Sequence, residues 1–260
     1  MPYKERKSIL YLSEISPYLF SWGPITIRWY GVLMMMAVLV GTWLALREAK
    51  RLGVKGDDII DLVLICAPIS WLGARLYYVI MSWDYYSVNL SEIPKIWHGG
   101  LAIHGGILTA MITGYIFTRV RNLRFWQIAD IIAPSFILGQ AIGRWGNFFN
   151  QEAYGYPTDL PWAMYIDGAY RHPTFLYESL WNLMVFGILM FLRRKLPSEG
   201  QLFMLYLAMY SLGRFFIEGL RTDSLMIGPL RAAQVMSIVM IVLSGLVYIY
   251  LGKKNQRPTR

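Results

Sequence analysis

The sequence predicts an all-α integral membrane protein, and three observations support this fold class. Of the 260 residues, 56% are hydrophobic and only 16% are charged, whereas charged residues make up about a quarter of a typical soluble domain. Apolar runs such as residues 32–40 and 238–249 do not alternate with polar residues, which excludes the strand pattern of an outer-membrane barrel. The 12 prolines and 23 glycines argue against a coiled coil.

Seven apolar segments, each bounded by charged residues, Pro or Gly, are predicted to be transmembrane helices, since one crossing takes about 20 residues. They cover residues 27–46, 59–81, 101–118, 125–142, 174–192, 202–217 and 232–252. We expect residues 1–260 to form a single polytopic membrane domain. The loops of residues 82–100 and 143–173 are long and rich in Trp, Tyr, Gly and Pro, and we expect them to form a small head outside the membrane.

The distribution of Lys and Arg predicts the orientation. The loops that follow segments 1, 3 and 5, together with the C-terminal tail, hold fourteen of these residues, whereas the N-terminal tail, the other loops and the outer end of segment 6 hold nine. By the positive-inside rule, the N-terminus is outside and the C-terminus is cytoplasmic. Contact with anionic lipid is enough to explain the formal net charge of +9, so no nucleic-acid partner is expected.

Cysteine content limits the chemistry further. Cys66 is the one cysteine and lies in an apolar segment, so an intrachain disulfide and a multi-cysteine metal site are excluded. We expect neither a metal nor another cofactor. The basic start at residues 4–7 is followed by a short apolar stretch interrupted by Glu14 and Pro17, and we expect this N-terminus to remain in the mature chain.

His104 is the first candidate functional residue and lies at the outer end of segment 3, within the glycine-flanked stretch of residues 99–106. Glycines permit close approach of a ligand or another chain, and histidine is the side chain best suited to accept a proton near neutral pH. A packing histidine between helices that contact through glycine is an equally weighted interpretation.

A second motif, residues 143–155, follows segment 4 on the same side of the membrane. Arg144 offers a planar fork that matches phosphate oxygens, and Asn147 and Asn150 add neutral hydrogen bonds. Glu152 is placed to orient the arginine or a histidine. The alternative is an interfacial loop whose arginine reaches the headgroups and whose asparagines form turns.

A third motif lies at the outer end of segment 6, where Arg214, Glu218 and Arg221 share one helical face. Glu218 can pair with either arginine and leave the other for an anion, although a charge-neutralised helix end is an equal alternative. Four further polar residues lie within the predicted membrane and need partners: Arg75, Asp130, Gln140 and Glu178. For Arg75 and Asp130 we favour structural ion pairs.

Tyr30 lies at the outer end of segment 1, where membership of the interfacial aromatic belt is the default interpretation. However, five separate polar stretches, including residues 173–178, come out at this one leaflet. A site with a histidine and several arginines at the outer leaflet suits chemistry on a phospholipid headgroup. The arginines would hold the phosphate as a leaving group and the histidine would deprotonate a nucleophile.

These motifs resemble the bacterial prolipoprotein diacylglyceryl transferase family over nearly the whole chain. The most specific part is Gly143-Arg144-x-Gly146-Asn147-Phe148-x-Asn150-x-Glu152. Supporting pieces occur in the expected order: Arg28-Trp29-Tyr30-Gly31, Gly73-Ala74-Arg75-Leu76, His104-Gly105-Gly106, His172-Pro173-x-x-Leu176-Tyr177-Glu178 and Arg214-x-x-x-Glu218-x-x-Arg221.

The resemblance implies a seven-helix bacterial inner-membrane enzyme with its active site toward the outer leaflet. Its substrates would be phosphatidylglycerol and prolipoprotein signal peptides with a lipobox cysteine, and transfer of the sn-1,2-diacylglyceryl group to the cysteine sulfur would release glycerol 1-phosphate. The resemblance also places a set of residues on functional positions: Tyr30, His104, Arg144, Asn147, Glu152, Gly155, Arg214, Glu218 and Arg221.

Two points remain open from the sequence. His104 is our candidate for the base that deprotonates the cysteine thiol, with Arg144 and Arg214 on the phosphate, but an arginine field could instead acidify the thiol while His104 binds the headgroup. A transporter or flippase for an anionic lipid would use the same arginines, although the sequence shows no inverted halves or helices broken near the midplane. A non-catalytic scaffold would make the clustered polar motifs superfluous.

The predicted orientation is testable by labelling single cysteines from outside the cell. Cysteines placed at Val88 and Gly168, in the predicted outer loops, should react with a membrane-impermeant thiol reagent. Cysteines placed at Gly53 and Asn122, in the predicted inner loops, are the matched controls and should stay unlabelled. Equal or reversed labelling would contradict the orientation.

Overall fold

The computed structural model describes residues 16–22, 25–166, 168–222 and 224–254. The Lys and Arg residues of segments 1–15 and 255–260, on which the predicted orientation partly rests, lie outside these ranges. The helices of the described chain are α1 (Trp29–Arg51), α2 (Gly56–Met81), the short α3 (Trp83–Tyr86), α4 (Ile103–Val120), α5 (Phe125–Asn150), α6 (Thr174–Leu192), α7 (Gln201–Glu218) and α8 (Ala232–Lys254). Single turns of 3-10 helix cover Leu90–Glu92 and Ile96–His98.

Three small antiparallel hairpins accompany the helices, one before α1 and two in connections between helices. The hairpin strands are β1 (Tyr18–Trp22) with β2 (Ile25–Arg28), β3 (Met164–Ile166) with β4 (Ala169–Arg171), and β5 (Met226–Ile227) with β6 (Leu230–Arg231). The β3–β4 hairpin pairs Met164 with Arg171 and Ile166 with Ala169, across a turn at Gly168, whose φ is +74°. Such short strands leave the fold all-α in character.

Each of the seven predicted segments coincides with one long helix. Within the described residues, five helices are long and apolar enough to cross a membrane: α1, α2, α5, α6 and α8. The other two, α4 and α7, have only 18 residues each and carry the polar residues His104, Arg214 and Glu218. The structure therefore supports a multi-pass helical membrane protein, and the crossings by α4 and α7 stay predictions.

The surface of α8 shows how the chain meets lipid. Val239, Leu243, Leu246 and Tyr250 follow the helical repeat and are 45% to 64% exposed. An exposed apolar stripe of this length would be costly in water, but it is the expected surface of a helix that faces acyl chains.

Helix α5 differs from the prediction in length. The predicted segment ended at residue 142, with the Arg144 motif in the loop that follows, but α5 continues to Asn150. The motif is thus helical, and Gln151 (φ +51°) and Ala153 (φ +59°) turn the chain immediately after it. The polar composition of residues 144–150 hid this extension, because two helical turns that emerge from the apolar region no longer look apolar.

The chain divides into two compact units. One contains residues up to Leu44 and from Ala129 onward, and the other is Ala45–Ile128. In the first unit, α5, α6 and α7 share a core of fully or nearly fully buried side chains that includes Ile137, Val185, Leu189 and Leu202.

Asp130 fastens the start of α7 to α5. Its carboxylate accepts hydrogen bonds from the backbone N–H groups of Gly200 (2.7 Å) and Phe203 (2.8 Å). An anion at a helix N-terminus satisfies unpaired N–H groups and offsets the positive end of the helix dipole. Asp130 therefore caps a helix, and the ion pair expected from the sequence is not its role.

In the second unit, Arg75 of α2 holds the loop of residues 92–100. Its guanidinium donates to the carbonyl oxygens of Gly99 (2.6 Å), Glu92 (2.7 Å), Gly100 (2.9 Å) and Ile93 (2.9 Å). The structural ion pair predicted for Arg75 is therefore wrong, since backbone carbonyls take the place of a carboxylate. Five donors in a fixed fork let one arginine fix several turns of a loop.

Helices α2 and α4 pack closely because glycine lies at their contact. A Cβ added to Gly105 would lie 2.5 Å from the carbonyl oxygen of Gly73 and would also collide with the Cβ of Tyr77. Backbone so close to a helix cannot yield by changing a rotamer. The close crossing is the packing mode that small residues permit in membrane proteins.

We expect Gly105→Ala to destabilise the protein by about 1–3 kcal/mol, because the added methyl group overpacks the α2–α4 contact. Gly114→Ala on the same helix is the matched control, since a Cβ there meets nothing within 4 Å. Thermal unfolding in detergent measures both. A melting temperature for Gly105→Ala at or above that of Gly114→Ala would contradict the packing argument.

Candidate active site

Glu178, near the start of α6, lies at the centre of a cluster of charges in the first unit. Its Oε2 lies 2.5 Å from Nη2 of Arg144, and its Oε1 accepts a hydrogen bond of 2.9 Å from Nη1 of Arg214. A third guanidinium, that of Arg221, has Nη1 3.6 Å from Oε1. Only 5% of the Glu178 side chain is exposed, so one buried carboxylate joins residues from α5, α6 and α7.

Glu218 is the second carboxylate of the cluster. Its Oε2 lies 2.7 Å from Nη2 of Arg214 and 3.9 Å from Nε of Arg221. Its Oε1 accepts a hydrogen bond of 2.6 Å from Oγ of Ser224. The sequence predicted that Glu218 pairs with one arginine, whereas in the structure it contacts both, because one helical turn separates it from each.

These five residues, which we call the charge cluster, are Arg144, Glu178, Arg214, Glu218 and Arg221. Among the described residues of the cluster, three guanidinium groups face two carboxylates, so these five side chains together carry one excess positive charge. Charges inside a membrane protein are costly unless they are paired. An anion with one negative charge would neutralise the cluster.

Arg144 is the arginine best placed to bind that anion. Among the described residues its one ion-pair contact is Nη2 with Glu178, so Nε and Nη1 have no protein partner there. The side chain is 19% exposed, which leaves it open to a ligand. A guanidinium already oriented by a carboxylate can present its remaining donors to phosphate oxygens in a fixed direction.

Asn147, Asn150 and Glu152 form a small hydrogen-bonded group at the end of α5. Oε1 of Glu152 accepts hydrogen bonds from Nδ2 of Asn147 (2.9 Å) and Nδ2 of Asn150 (3.2 Å), and the Glu152 N–H donates to the Asn147 carbonyl at 3.0 Å. The prediction that Glu152 orients Arg144 or a histidine is wrong within the described residues. It closes the end of the helix that carries Arg144.

Gly155 connects this helix end with the end of α7. It forms an isolated antiparallel bridge with Arg221, and the N–H of the adjoining Tyr156 donates to the Leu220 carbonyl at 2.9 Å. A Cβ at position 155 would lie 2.8 Å from that carbonyl oxygen and 2.7 Å from Cβ of His172. Only glycine fits there, which explains its place in the predicted functional set.

Tyr30 begins α1 and packs on the same helix end. A Cβ added to Gly146 would lie 2.5 Å from Cδ2 of the Tyr30 ring, and the neighbouring rings of Trp29 and Phe149 stack with centroids 4.8 Å apart. Tyr30 is 40% exposed. The structure therefore packs this tyrosine against Gly146, two residues after Arg144 in α5, with part of its surface open.

His104 belongs to the other unit, residues 45–128. It is exposed, lies in the first turn of α4, and has its ring centroid 6.4 Å from that of Tyr77. Just before it, the Ala102 N–H donates to the Ala74 carbonyl at 3.0 Å. Together with Arg75, this contact fixes the backbone that leads into α4, so the position of His104 is set by α2.

The sequence did not single out Ser224. It gave Glu178 as a residue in need of a partner and as the last position of a family motif, but did not place it among the site residues. For Glu178 a signal was available, because a carboxylate in an apolar helix must meet a cation and three arginines were predicted at the same leaflet. Ser224 carries no such signal, since its contact with Glu218 depends on how the chain turns after α7.

We expect Glu178→Gln to destabilise the protein by about 3–5 kcal/mol, because buried guanidinium groups lose their shared counter-charge. Glu92→Gln is the matched control: Glu92 is a partly exposed loop carboxylate whose pKa is lowered by hydrogen bonds from Lys95 and His98, and its loss should change the melting temperature little. Thermal unfolding in detergent compares the two. Equal melting temperatures would show that Glu178 does not hold the cluster together.

Comparison with known proteins shows the family to which the chain belongs. The family model described as prolipoprotein diacylglyceryl transferase matches residues 17–250. A phosphatidylglycerol–prolipoprotein diacylglyceryl transferase from Geobacillus kaustophilus is 59% identical, covering 92% of this chain and 93% of the relative. Enzymes of the same name from Bacillus mycoides and Bacillus cereus are 55% and 53% identical over the same shares. The chain belongs to the prolipoprotein diacylglyceryl transferase family.

Proposed function

We propose that this protein transfers the sn-1,2-diacylglyceryl group of phosphatidylglycerol to the sulfur of the lipobox cysteine in prolipoprotein signal peptides. The charge cluster is the observation that carries the proposal. It has one excess positive charge, and Arg144 has two guanidinium nitrogens without a partner among the described residues. The phosphodiester of phosphatidylglycerol carries the single negative charge that would neutralise it, and relatives named for this lipid substrate match 92% of the chain.

The chemistry is a displacement at carbon. The cysteine thiolate attacks the glycerol carbon that joins the diacylglyceryl group to the phosphate. The C–S bond forms as the C–O bond breaks, and the electron pair of that bond leaves on glycerol 1-phosphate. The thiol proton goes to a base. Because the thiolate displaces the phosphate directly, the step needs neither a covalent intermediate with the enzyme nor a cofactor.

Arg144 and Arg214 stabilise the leaving phosphate in this proposal. Negative charge on the phosphate grows as the C–O bond breaks, and donors already held in place stabilise it without reorganising. Glu178 and Glu218 hold the guanidinium groups in that position. Arg221 lies farther from both carboxylates, at 3.6 Å and 3.9 Å, and supports the pairing of Glu218.

His104 takes the thiol proton in this proposal. A cysteine thiol with an ordinary pKa near 8.5 is only a few per cent thiolate at neutral pH, so transfer needs a base or a positive field. The exposed ring at the start of α4 is available to a substrate. The alternative role, binding of the headgroup, predicts a different response of the transfer rate to lipid concentration and pH.

We also propose the finer topology. Seven helices, α1, α2 and α4 to α8, cross the bacterial cytoplasmic membrane, with the N-terminus outside and the C-terminus in the cytoplasm. The loops of residues 82–100 and 143–173 face the outside as a small head, and the site faces the outer leaflet. The fourteen-to-nine distribution of Lys and Arg supports this orientation.

The direct test incubates purified protein with phosphatidylglycerol and a lipobox peptide and measures peptide mass. We expect a thioether-linked diacylglyceryl increment. Arg144→Ala and Arg214→Ala should nearly abolish it, and Arg144→Lys should reduce it clearly, since lysine keeps the charge and loses the bidentate fork. Arg119→Ala, at the far end of α4, is the matched control. Full transfer by both alanine variants would show that Arg144 and Arg214 do not stabilise the leaving phosphate. Lipid binding without any thioether product would favour a lipid transporter.

The two roles of His104 are separated by its glutamine variant. If His104 is the base, His104→Gln should bind lipid normally, lose transfer by about 10²–10⁴-fold and recover part of the rate as the pH rises. If it binds the headgroup, saturating phosphatidylglycerol should restore transfer with no special response to pH. Steady-state rates at two lipid concentrations and several pH values measure this. Normal turnover at neutral pH and low lipid would contradict both roles.

A further inference from the structure

Arg231, the last residue of β6, is buried without a counter-charge. It is 9% exposed, and among the described residues no carboxylate lies within ion-pair distance of it. Its Nη2 donates to Oη of Tyr156 at 3.0 Å, and its guanidinium lies 5.5 Å from the centroid of the Tyr156 ring. Its Nη1 is fully buried and has no hydrogen-bond partner in the part of the chain that the structure describes.

The position of Arg231 at the start of a helix adds to this imbalance. Arg231 immediately precedes α8, a helix of 23 residues with no acidic residue in its first turn. The N-terminus of a helix carries a partial positive charge and favours anions. Because this buried arginine directly precedes a helix end that is itself partly positive, one bound anion would stabilise both the guanidinium and the helix N-terminus.

Other contacts fix Arg231 in place. Its backbone N–H donates to Oε1 of Gln234 at 3.0 Å, while Nε2 of Gln234 donates to the Phe215 carbonyl at 3.2 Å. The Ala232 N–H donates to the Leu225 carbonyl at 2.8 Å. These bonds tie the β5–β6 hairpin to α7 and α8, so the arginine belongs to a built corner of the fold and not to a mobile surface.

The surroundings indicate where the anion comes from. The first strand of the same hairpin and the residue before it expose Leu225, Met226 and Ile227 by 81%, 61% and 57%. Three exposed large apolar side chains on a hairpin next to a membrane helix suit insertion among lipids at the interface. The anion closest to such a hairpin is the phosphate of a phospholipid.

We propose that Arg231, Tyr156 and the N-terminus of α8 form a second lipid site that binds the phosphodiester of an anionic phospholipid, separate from the charge cluster. Tyr156 is 48% exposed and its ring lies over the guanidinium. A rotation of this side chain opens Nη1 and Nη2 to a phosphate, while the acyl chains follow the apolar hairpin. The site keeps a lipid bound beside the turn after α7 that carries Arg221.

Native mass spectrometry of the purified protein tests this site without relying on transfer. The protein is taken from phosphatidylcholine nanodiscs containing increasing phosphatidylglycerol, with no peptide present, and the retained phosphatidylglycerol molecules are counted. Arg231→Gln should retain one fewer than wild type, or bind that molecule roughly tenfold more weakly. Arg119→Gln, an exposed arginine at the end of α4, is the matched control and should retain the wild-type number.

A second variant and a second probe complete the experiment. Arg231→Lys keeps the charge and should retain more of the lipid than Arg231→Gln. Glycerol 1-phosphate alone should change the melting temperatures of wild type and Arg231→Gln equally. If it raises the melting temperature of wild type but not that of Arg231→Gln, the site binds a soluble phosphate, and the lipid assignment is overturned. Wild-type lipid retention by both Arg231 variants would overturn the site itself, and because no peptide is used, loss of transfer activity would not affect that result.

Discussion

The contact between the Glu178 carboxylate and the guanidinium groups of Arg144 and Arg214 is the interaction on which the rest of the site depends. Each of these residues comes from a different helix, α6, α5 and α7, and the contact distances are 2.5 Å and 2.9 Å. Buried charges of the same sign repel strongly where the dielectric constant is low. Without a shared carboxylate the three arginines could not stay close to one another.

In the proposed function, this arrangement also accounts for the recognition of a lipid phosphate in a membrane. Glu178 and Glu218 neutralise most of the positive charge and leave one charge in excess, so the cluster can persist without ligand and still attract an anion. The carboxylates also orient the planar forks before the lipid arrives. Pre-orientation of this kind reduces the entropy lost on binding and on reaching the transition state.

The close approach of α1 to α5 is a second constraint, and it depends on small residues. Along α5, Gly139 and Gly143 face Ala37 and Met34 of α1, with Gly146 against Tyr30. Glycine and alanine let helix backbones pack closely where no hydrophobic driving force acts between helices. This packing brings Tyr30 to the outer end of α5, where the polar motif lies.

The fold was largely predictable from the sequence because long apolar runs have few alternatives in a lipid environment. The end of α5 was not, since residues 144–150 are helical yet polar. For the site, the motifs predicted which residues are functional, but not which side chains contact each other. Glu152 closes the helix end through Asn147 and Asn150, and Arg75 binds loop carbonyls. Such partners depend on long-range chain geometry that hydrophobic periodicity does not record.

The most direct test of the central claim is an experimental structure of the His104→Gln variant with phosphatidylglycerol bound, since slowed transfer should keep the lipid in place. We expect phosphate oxygens about 2.7–2.9 Å from guanidinium nitrogens of Arg144 and Arg214, with Glu178 still in contact with both arginines. A phosphate bound beyond hydrogen-bond distance of both arginines, with lipid fully occupying the protein, would contradict it.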